Sequence, residues 1–372
     1  MTDPRHDWPA RLAALRHRWM NAADEAPRQA CVISSAVNIS YLTGFRGSAG
    51  LLVQSEERDL LLLDGRYIAV ATEARDRGEL APVSIERVEK SYDQTLSEIL
   101  GRLGALHLCF ESDHVTVSEL NRWQAAIPGE WHGLPGLVEA LRVIKDAAEI
   151  AILRRAGVAL VGVASRLVEW VAVDRTEREV AGDINRGLER AGFERPAFDT
   201  IVAAGPNSAH PHARPGDRRL ADADLVVLDF GGVLDGYCVD LTRMAAVGRL
   251  PDEAGRIYRA VRNAQQAALN VICAGVTAGA VDAAARQVLD TEGLGAAFVH
   301  GTGHGLGLEV HEAPRLSSQV GATERLRAGM VCTIEPGAYV AGVGGVRLED
   351  DVLVTDTGAE LLTPGPRDLL TV

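Results

Sequence analysis

Asp229, Asp240, His304, Glu335 and Glu349 are four carboxylates and one imidazole, each set in glycine-rich or turn-rich sequence. Hard and borderline divalent cations ask for donors of this kind, because carboxylates can bridge two ions and offset their combined charge. The group therefore reads as a dinuclear metal centre, and the chain as a metal-dependent hydrolase. Asp229 follows the apolar run LVVL, which places it near a core where an unpaired charge is costly. In LDFGGVLDGYCVDLTR an apolar strand, a Gly- and Asp-rich turn and a second strand predict a hairpin. A hairpin centred between Leu234 and Asp235 puts Asp229 and Asp240 directly opposite, with Cβ atoms about 4.5 to 5.5 Å apart. Carboxylates that close repel unless they are protonated or bound to cations. His304 lies in HGTGHGLG, where glycines allow close approach of backbone and metal. With His300, His311, His210 and His212 it accounts for five of the ten histidines, in two short tracts. No HExxH is present, so a helical zinc site is not indicated. Glu335 ends the apolar run MVCTIEPG before a Pro-Gly break, and Glu349 stands at the head of the strand-like EDDVLVT.

The elements that must position these side chains fall into two parts. Residues 1–136 alternate strands and helices as a compact α/β unit: CVISS, a hairpin over Leu51–Val53 and Leu60–Leu63, a helix over Ala69–Asp76, the strand HLCFES, and a helix opened by the capping-box pair Thr116 and Glu119. IPGEWHGLPG, with two prolines and three glycines, reads as the linker. Residues 137–372 form the second domain, opening with a long helix from Leu137 to about Val173, interrupted near Gly157 or Gly162. TEREVAGDINRGLERAG, from Thr176, and TAGAVDAAARQVLDTEG, from Thr277, align without gaps, and each leads into a β-like segment and a His-bearing stretch. This echo predicts a duplicated α/β half, with a shared site at the seam between the copies.

Composition narrows the function further. At 372 residues the chain exceeds the usual size of one core, and 47% hydrophobic content is ample for burial. A formal charge of -13 argues against nucleic acid, which needs a basic face. Five scattered cysteines without a CxxC pair indicate neither a disulfide framework nor a zinc knuckle, and fit a reducing cytoplasm. The N-terminal sequence has no uninterrupted apolar h-region, and no stretch approaches membrane-spanning length, so neither export nor a membrane association is expected.

With these motifs in hand, the chain resembles the pita-bread metallopeptidases, specifically the Xaa-Pro branch that contains prolidase and aminopeptidase P. The resemblance runs from NISYLTGFRGSAG through LRVIKDAAEI, FDTIVAAGPNSAHPH, LDFGGVLDGYCVDLTR, HGTGHGLGLEVHE and TIEPGAY to VRLEDDVLV. It implies a small creatinase-like α/β domain followed by a pita-bread domain of pseudo-two-fold halves, an α/β (α+β) fold. It also implies that Asp229 binds one metal through both oxygens, that Asp240 and Glu349 bridge, and that His304 and Glu335 complete the second metal. His212 and His311 match catalytic or substrate-orienting histidines, His300 a histidine of the proline pocket, and Arg347 an arginine bracing the bridging acids. His210 departs from the pattern, standing where relatives usually carry an apolar residue.

The implied reaction is hydrolysis of the Xaa-Pro bond, a tertiary amide with no N-H and a fixed φ that proteases gripping an extended backbone fit poorly. Two cations can activate a water and polarise the scissile carbonyl, with Glu335 taking the proton and His212 and His311 donating. Oxygen-rich ligation favours Mn²⁺, with Co²⁺ or Zn²⁺ able to substitute. Arg46 in TGFRGS is the candidate partner for a dipeptide's free carboxylate, which favours prolidase over aminopeptidase P. A non-catalytic peptide-binding module is the reading from another class, and the complete ligand set counts against it. Xaa-Pro peptides are the expected partners, and a homodimer the expected assembly.

Overall fold

The capping box expected at Thr116 forms: its side chain accepts from the Glu119 backbone N-H, and the Glu119 carboxylate accepts from the Thr116 N-H in return. In the computed structural model, residues 6–22, 29–319 and 321–372 are described, and the first five residues of the segment inspected for a leader lie outside them. The chain divides into two compact units, His6–Arg142 and Val143–Val372.

The first unit comprises α1 (Trp8–Asn21), β1 (Ala30–Ile33), α2 (Ala36–Thr43), β2 (Leu51–Ser55), β3 (Asp59–Asp64), α3 (Ile68–Asp76), β4 (Ser84–Val88), α4 (Tyr92–Leu103), β5 (His107–Glu111), α5 (Val117–Ala126), β6 (Glu130–Leu134) and α6 (Glu139–Arg142). Its sheet has the order β4-β3-β2-β1-β5-β6. The segment read as a linker is therefore an edge strand. Pro128 and Pro135 flank β6 rather than interrupt it, and Trp131 stacks on Trp123 of α5 with ring centroids 5.3 Å apart, so a proline- and glycine-rich stretch gains a partner at a sheet edge.

The second unit holds α7 (Ala147–Ala164), α8 (Leu167–Trp170), α9 (Glu177–Arg190), β7 (Arg195–Pro196), β8 (Ile201–Ala204), β9 (Leu225–Leu234), β10 (Tyr237–Ala246), α10 (Asp252–Val271), α11 (Ala278–Thr291), β11 (Gly303–Gly305), β12 (Glu312–Leu316), β13 (Val331–Ile334), β14 (Gly337–Val340), β15 (Gly344–Arg347), β16 (Asp350–Thr355), β17 (Gly358–Leu361) and β18 (Leu370–Thr371). The single long helix expected from Leu137 is broken at Val143–Asp146 instead of at a glycine. Ile144 bridges to Met330, and Asp146 starts α7 with its own capping box to Glu149, a D-x-x-E signal in the sequence. Gly157 interrupts nothing. A Cβ there would lie 2.0 Å from the Leu362 carbonyl oxygen, so this glycine lets another segment cross the helix closely.

The duplicated half is visible in the backbone. Thr176 caps α9 and bridges Arg219; Thr277 caps α11 and bridges Arg325. Leu220 N-H bonds to Arg175 O and Leu326 N-H to Val276 O, both at 2.8 Å. Separate apolar cores support the copies, one built on α7 and α9 and the other on α10 and α11. One copy contributes the sheet β18-β10-β9-β7 with β8 on β9, the other the sheet β12-β11-β13-β16-β17.

Candidate metal centre and active site

The β9–β10 hairpin turns at Asp235-Gly236, where Asp235 and Gly236 both have positive φ. The register pairs Asp229 with Thr242 and Asp240 with Gly231. The two aspartates thus share a face but stand diagonally, not directly opposite as the sequence suggested. The turn lies one residue further along, and the separation grows to the diagonal spacing of about 7–8 Å. The position opposite Asp229 is filled by Thr242, whose hydroxyl donates to Glu349 Oε2 at 2.6 Å.

Glu349 arrives from the other half, between β15 and β16, and is 2% exposed. His304 sits on β11 between two glycines that no larger residue could replace without displacing backbone. A Cβ on Gly303 would lie 2.0 Å from Thr333 O, and one on Gly305 2.0 Å from Ala313 O. The His304 Nδ1 faces the Gly305 carbonyl at 3.0 Å and must donate to it, which leaves the Nε2 lone pair on the side of the acids, free to ligate a cation among them. Asp240, His304 and Glu349 each offer a ligand atom within 4.8 Å of the others, all three residues buried. Glu335, fixed by its N-H bond to Thr302 O at 2.7 Å, brings Oε1 to 3.6 Å from His304 Nε2. Asp229 lies outside that tightest group, its Oδ2 paired with the Arg347 guanidinium.

The electrostatics are those of a cation site. Burial, then the Glu349 and Asp229 carboxylates, push Asp240 well above the usual carboxylate range. Burial, then Glu335 and Asp229, does the same to Glu349, and burial raises Glu335. Asp229 Oδ1, Asp240 Oδ1 and Glu349 Oε1 are buried without a hydrogen-bond partner. Buried charge of one sign with orphaned oxygens is costly, and a divalent ion relieves both costs at once. The donor set, four carboxylates and one imidazole poised by its tautomer, therefore fits divalent metal.

A cavity of about 540 Å³ opens on these acids and is also lined by His212, His300, His311, Arg315 and Phe198. His311 packs edge-on against His304, centroids 4.4 Å apart, and its pKa is lowered by burial and then by His304 and Arg315. His212 is exposed at the cavity wall. His300 donates from Nδ1 to Gly301 O, so its Nε2 accepts from the Tyr339 hydroxyl at 3.0 Å. Arg347 bonds Tyr339 Oη at 2.6 Å, Pro211 O at 3.2 Å and Thr242 Oγ1 at 3.3 Å besides Asp229, joining both halves through one guanidinium. Burial pushes the Tyr339 hydroxyl up to about 12, which keeps it a neutral hydrogen-bonding group.

Two of the anticipated residues are not among those that line the cavity. His210 is exposed at the end of a 3₁₀ turn and is not among the cavity-lining residues. Arg46 is exposed in the loop after α2 of the first unit. Sequence reasoning missed Thr242, Tyr339, Arg315 and Asp351. Asp351 accepts the Asp240 backbone N-H at 2.9 Å, and burial raises its pKa strongly. Thr242 was detectable, because it is two residues from Asp240 on one strand and so shares its face.

Fold and site together define a two-domain hydrolase with a divalent-metal centre between duplicated halves. Residues 151–356 match metallopeptidase family M24, and residues 11–144 match the creatinase/prolidase N-terminal domain. The Xaa-Pro dipeptidase of Pyrococcus furiosus is 34% identical over 93% of this chain and 97% of its own length. An uncharacterized peptidase of Bacillus subtilis, YqhT, is 36% identical over 91% and 94%. Among solved structures, the Xaa-Pro dipeptidase from Bacillus anthracis superimposes with a TM-score of 0.94 at 33% identity, covering 98% of this chain and 100% of that one. The X-Pro aminopeptidase from Thermotoga maritima gives 0.86 at 32% identity, covering 93% and 98%. The chain belongs to the M24 metallopeptidases, with a creatinase-type N-terminal domain and a pita-bread catalytic domain.

Proposed function

We propose that this metallopeptidase hydrolyses the Xaa-Pro bond of dipeptides, with Asp229, Asp240, His304, Glu335 and Glu349 holding two divalent cations, Mn²⁺ in the cell. The observation that carries the metal assignment is the buried Asp240–His304–Glu349 cluster with its orphaned oxygens at the floor of the cavity. When bound, the cations supply Lewis-acid polarisation of the scissile carbonyl and of the attacking water.

The chain's own groups do the rest. Glu335, whose proton affinity burial raises, takes the proton from the water. His212 and His311, on the cavity wall, donate to the developing oxyanion or to the leaving imino nitrogen. His300, oriented by Tyr339, packs edge-on against Phe298 at 5.2 Å and offers a flat wall to the proline ring. Arg347 holds Asp229 in place and sets the geometry of the acids. His210, where this chain departs from the family pattern, is a substrate-contact candidate only through its place two residues before His212.

The dipeptide preference requires a cation for the free carboxylate. Arg46 is one candidate, and Arg315, within the cavity wall beside His311, is another. Kinetics of metal-loaded protein on Xaa-Pro, Xaa-Pro-Yaa and Met-Ala-type peptides test the reading. Alanine at the responsible arginine should lower kcat/KM on dipeptides far more than on tripeptides. Equal losses on both would remove that arginine from the role. Better turnover of tripeptides than dipeptides would favour the second reading, an X-Pro aminopeptidase, which the likeness to the Thermotoga maritima structure keeps in view. A homodimer and a cytoplasmic location complete the proposal; light scattering tests the first and cell fractionation the second.

A further inference from the structure

We infer that His107, Glu130 and His132 form a second type of metal site, for a borderline divalent cation such as Zn²⁺, on the first unit's sheet. β5 and β6 run parallel with His107 directly beside Glu130, and His132 follows Glu130 by two residues. Alternation along a strand puts Glu130 and His132 on one face, and the parallel register brings His107 to the same face. One ligand atom from each residue lies within 4.8 Å of the other two.

Both nitrogen–carboxylate separations are longer than an ordinary hydrogen bond, and the shorter of them matches a coordination edge. His107 Nδ1 is 3.4 Å from Glu130 Oε2, and His132 Nε2 is 3.9 Å from the same oxygen. An N–H···O bond is about 2.7–3.2 Å long. A tetrahedral ion with bonds of about 2.0–2.2 Å has ligand–ligand edges of roughly 3.3–3.6 Å. His107 Nδ1 is itself buried and makes no hydrogen bond, so a basic nitrogen is held out of water facing a carboxylate that does not satisfy it. A cation between the three supplies the partner that His107 Nδ1 lacks.

Two imidazoles and one carboxylate suit zinc better than the oxygen-seeking ions expected at the catalytic acids. The opposite face of β6 stacks the half-buried Trp131 on Trp123, so an ion here would pin an edge strand from both sides. The side chains are 31%, 70% and 41% exposed, so the ion has access from solvent. The role is structural, a clip between β5 and the last strand of the sheet.

The test uses the full chain carrying Asp240→Ala and Glu349→Ala, which disables the catalytic centre. After metal stripping it is titrated with Zn²⁺ against a chromophoric chelator. One equivalent should bind, and adding His132→Ala should weaken it by more than about a hundredfold, beyond the loss usual for an outer-sphere partner. Glu130→Gln should also weaken it, with the circular dichroism unchanged. In the otherwise unaltered chain, His132→Ala should lower bound zinc by one equivalent, a readout independent of how well the Asp240/Glu349 variant folds. Zinc content unaffected by His132→Ala in both backgrounds would overturn the inference.

Discussion

Replacing Arg347 by methionine keeps most of the side-chain volume and removes the guanidinium that pairs with Asp229. Arg347 is 3% exposed, and its partners are Asp229, Tyr339, Thr242 and the Pro211 carbonyl. Breaking a buried pair by deleting one partner costs about 3–5 kcal/mol, because the other charge stays buried. Asp240 and Glu349, already crowded by like charge, push the loss toward the upper end. For a unit of this size about 2–4 °C accompanies each kcal/mol, so the metal-free catalytic unit should unfold roughly 6–20 °C lower. The assay is thermal unfolding by circular dichroism in a chelator, then with saturating Mn²⁺. The cations take over the neutralisation of Asp229, so the deficit should shrink when they bind. A loss below about 1 kcal/mol in chelator, the scale of an exposed ion pair, would refute the reasoning, as would a deficit that grows with Mn²⁺.

Glu335→Gln keeps the shape but removes the proton acceptor, and kcat on a Xaa-Pro dipeptide should fall by about 10²–10⁴ with the fold intact by circular dichroism. Gly303→Ala forces a Cβ toward the Thr333 carbonyl, and should cost about 1–3 kcal/mol in urea unfolding and lower metal affinity by shifting His304. In the metal-free protein Asp240, Glu349 and Asp351 have folded-state pKa values raised above their unfolded ones. The folded state then holds more protons than the unfolded state above the ordinary carboxylate range, so their contribution is present at acid pH and is lost as pH rises through the raised values. Unfolding temperature of the metal-free chain should decline from about pH 5 to pH 8, and Asp240→Asn should make the decline shallower.

Much of this arrangement was legible in the sequence where local chemistry and global structure agree. The repeated helices rest on caps at Thr176 and Thr277 that the structure uses unchanged, and the β9–β10 hairpin forms as its patterning predicts with its turn one residue further along. Errors arose where a partner distant in sequence decides the outcome. IPGEWHGLPG reads as a linker until β5 supplies a neighbour for it, and a helix through Val143 looks unbroken until Met330 pairs with Ile144. The aspartates were misaligned because a turn centre moved by one residue changes the cross-strand partner by two. Thr242, Tyr339 and Arg315 carry no metal-ligand signature, and matter only because strands from both halves converge on one cavity and the network behind it.

The dependence of Xaa-Pro hydrolysis on bound metal tests the central claim most directly. Metal-stripped protein is titrated with Mn²⁺ while bound metal and turnover of a Xaa-Pro dipeptide are measured on the same samples. The account predicts no turnover without metal and a plateau once both ions are held by the catalytic acids. Turnover in the stripped protein, or none with that centre fully loaded, would contradict it.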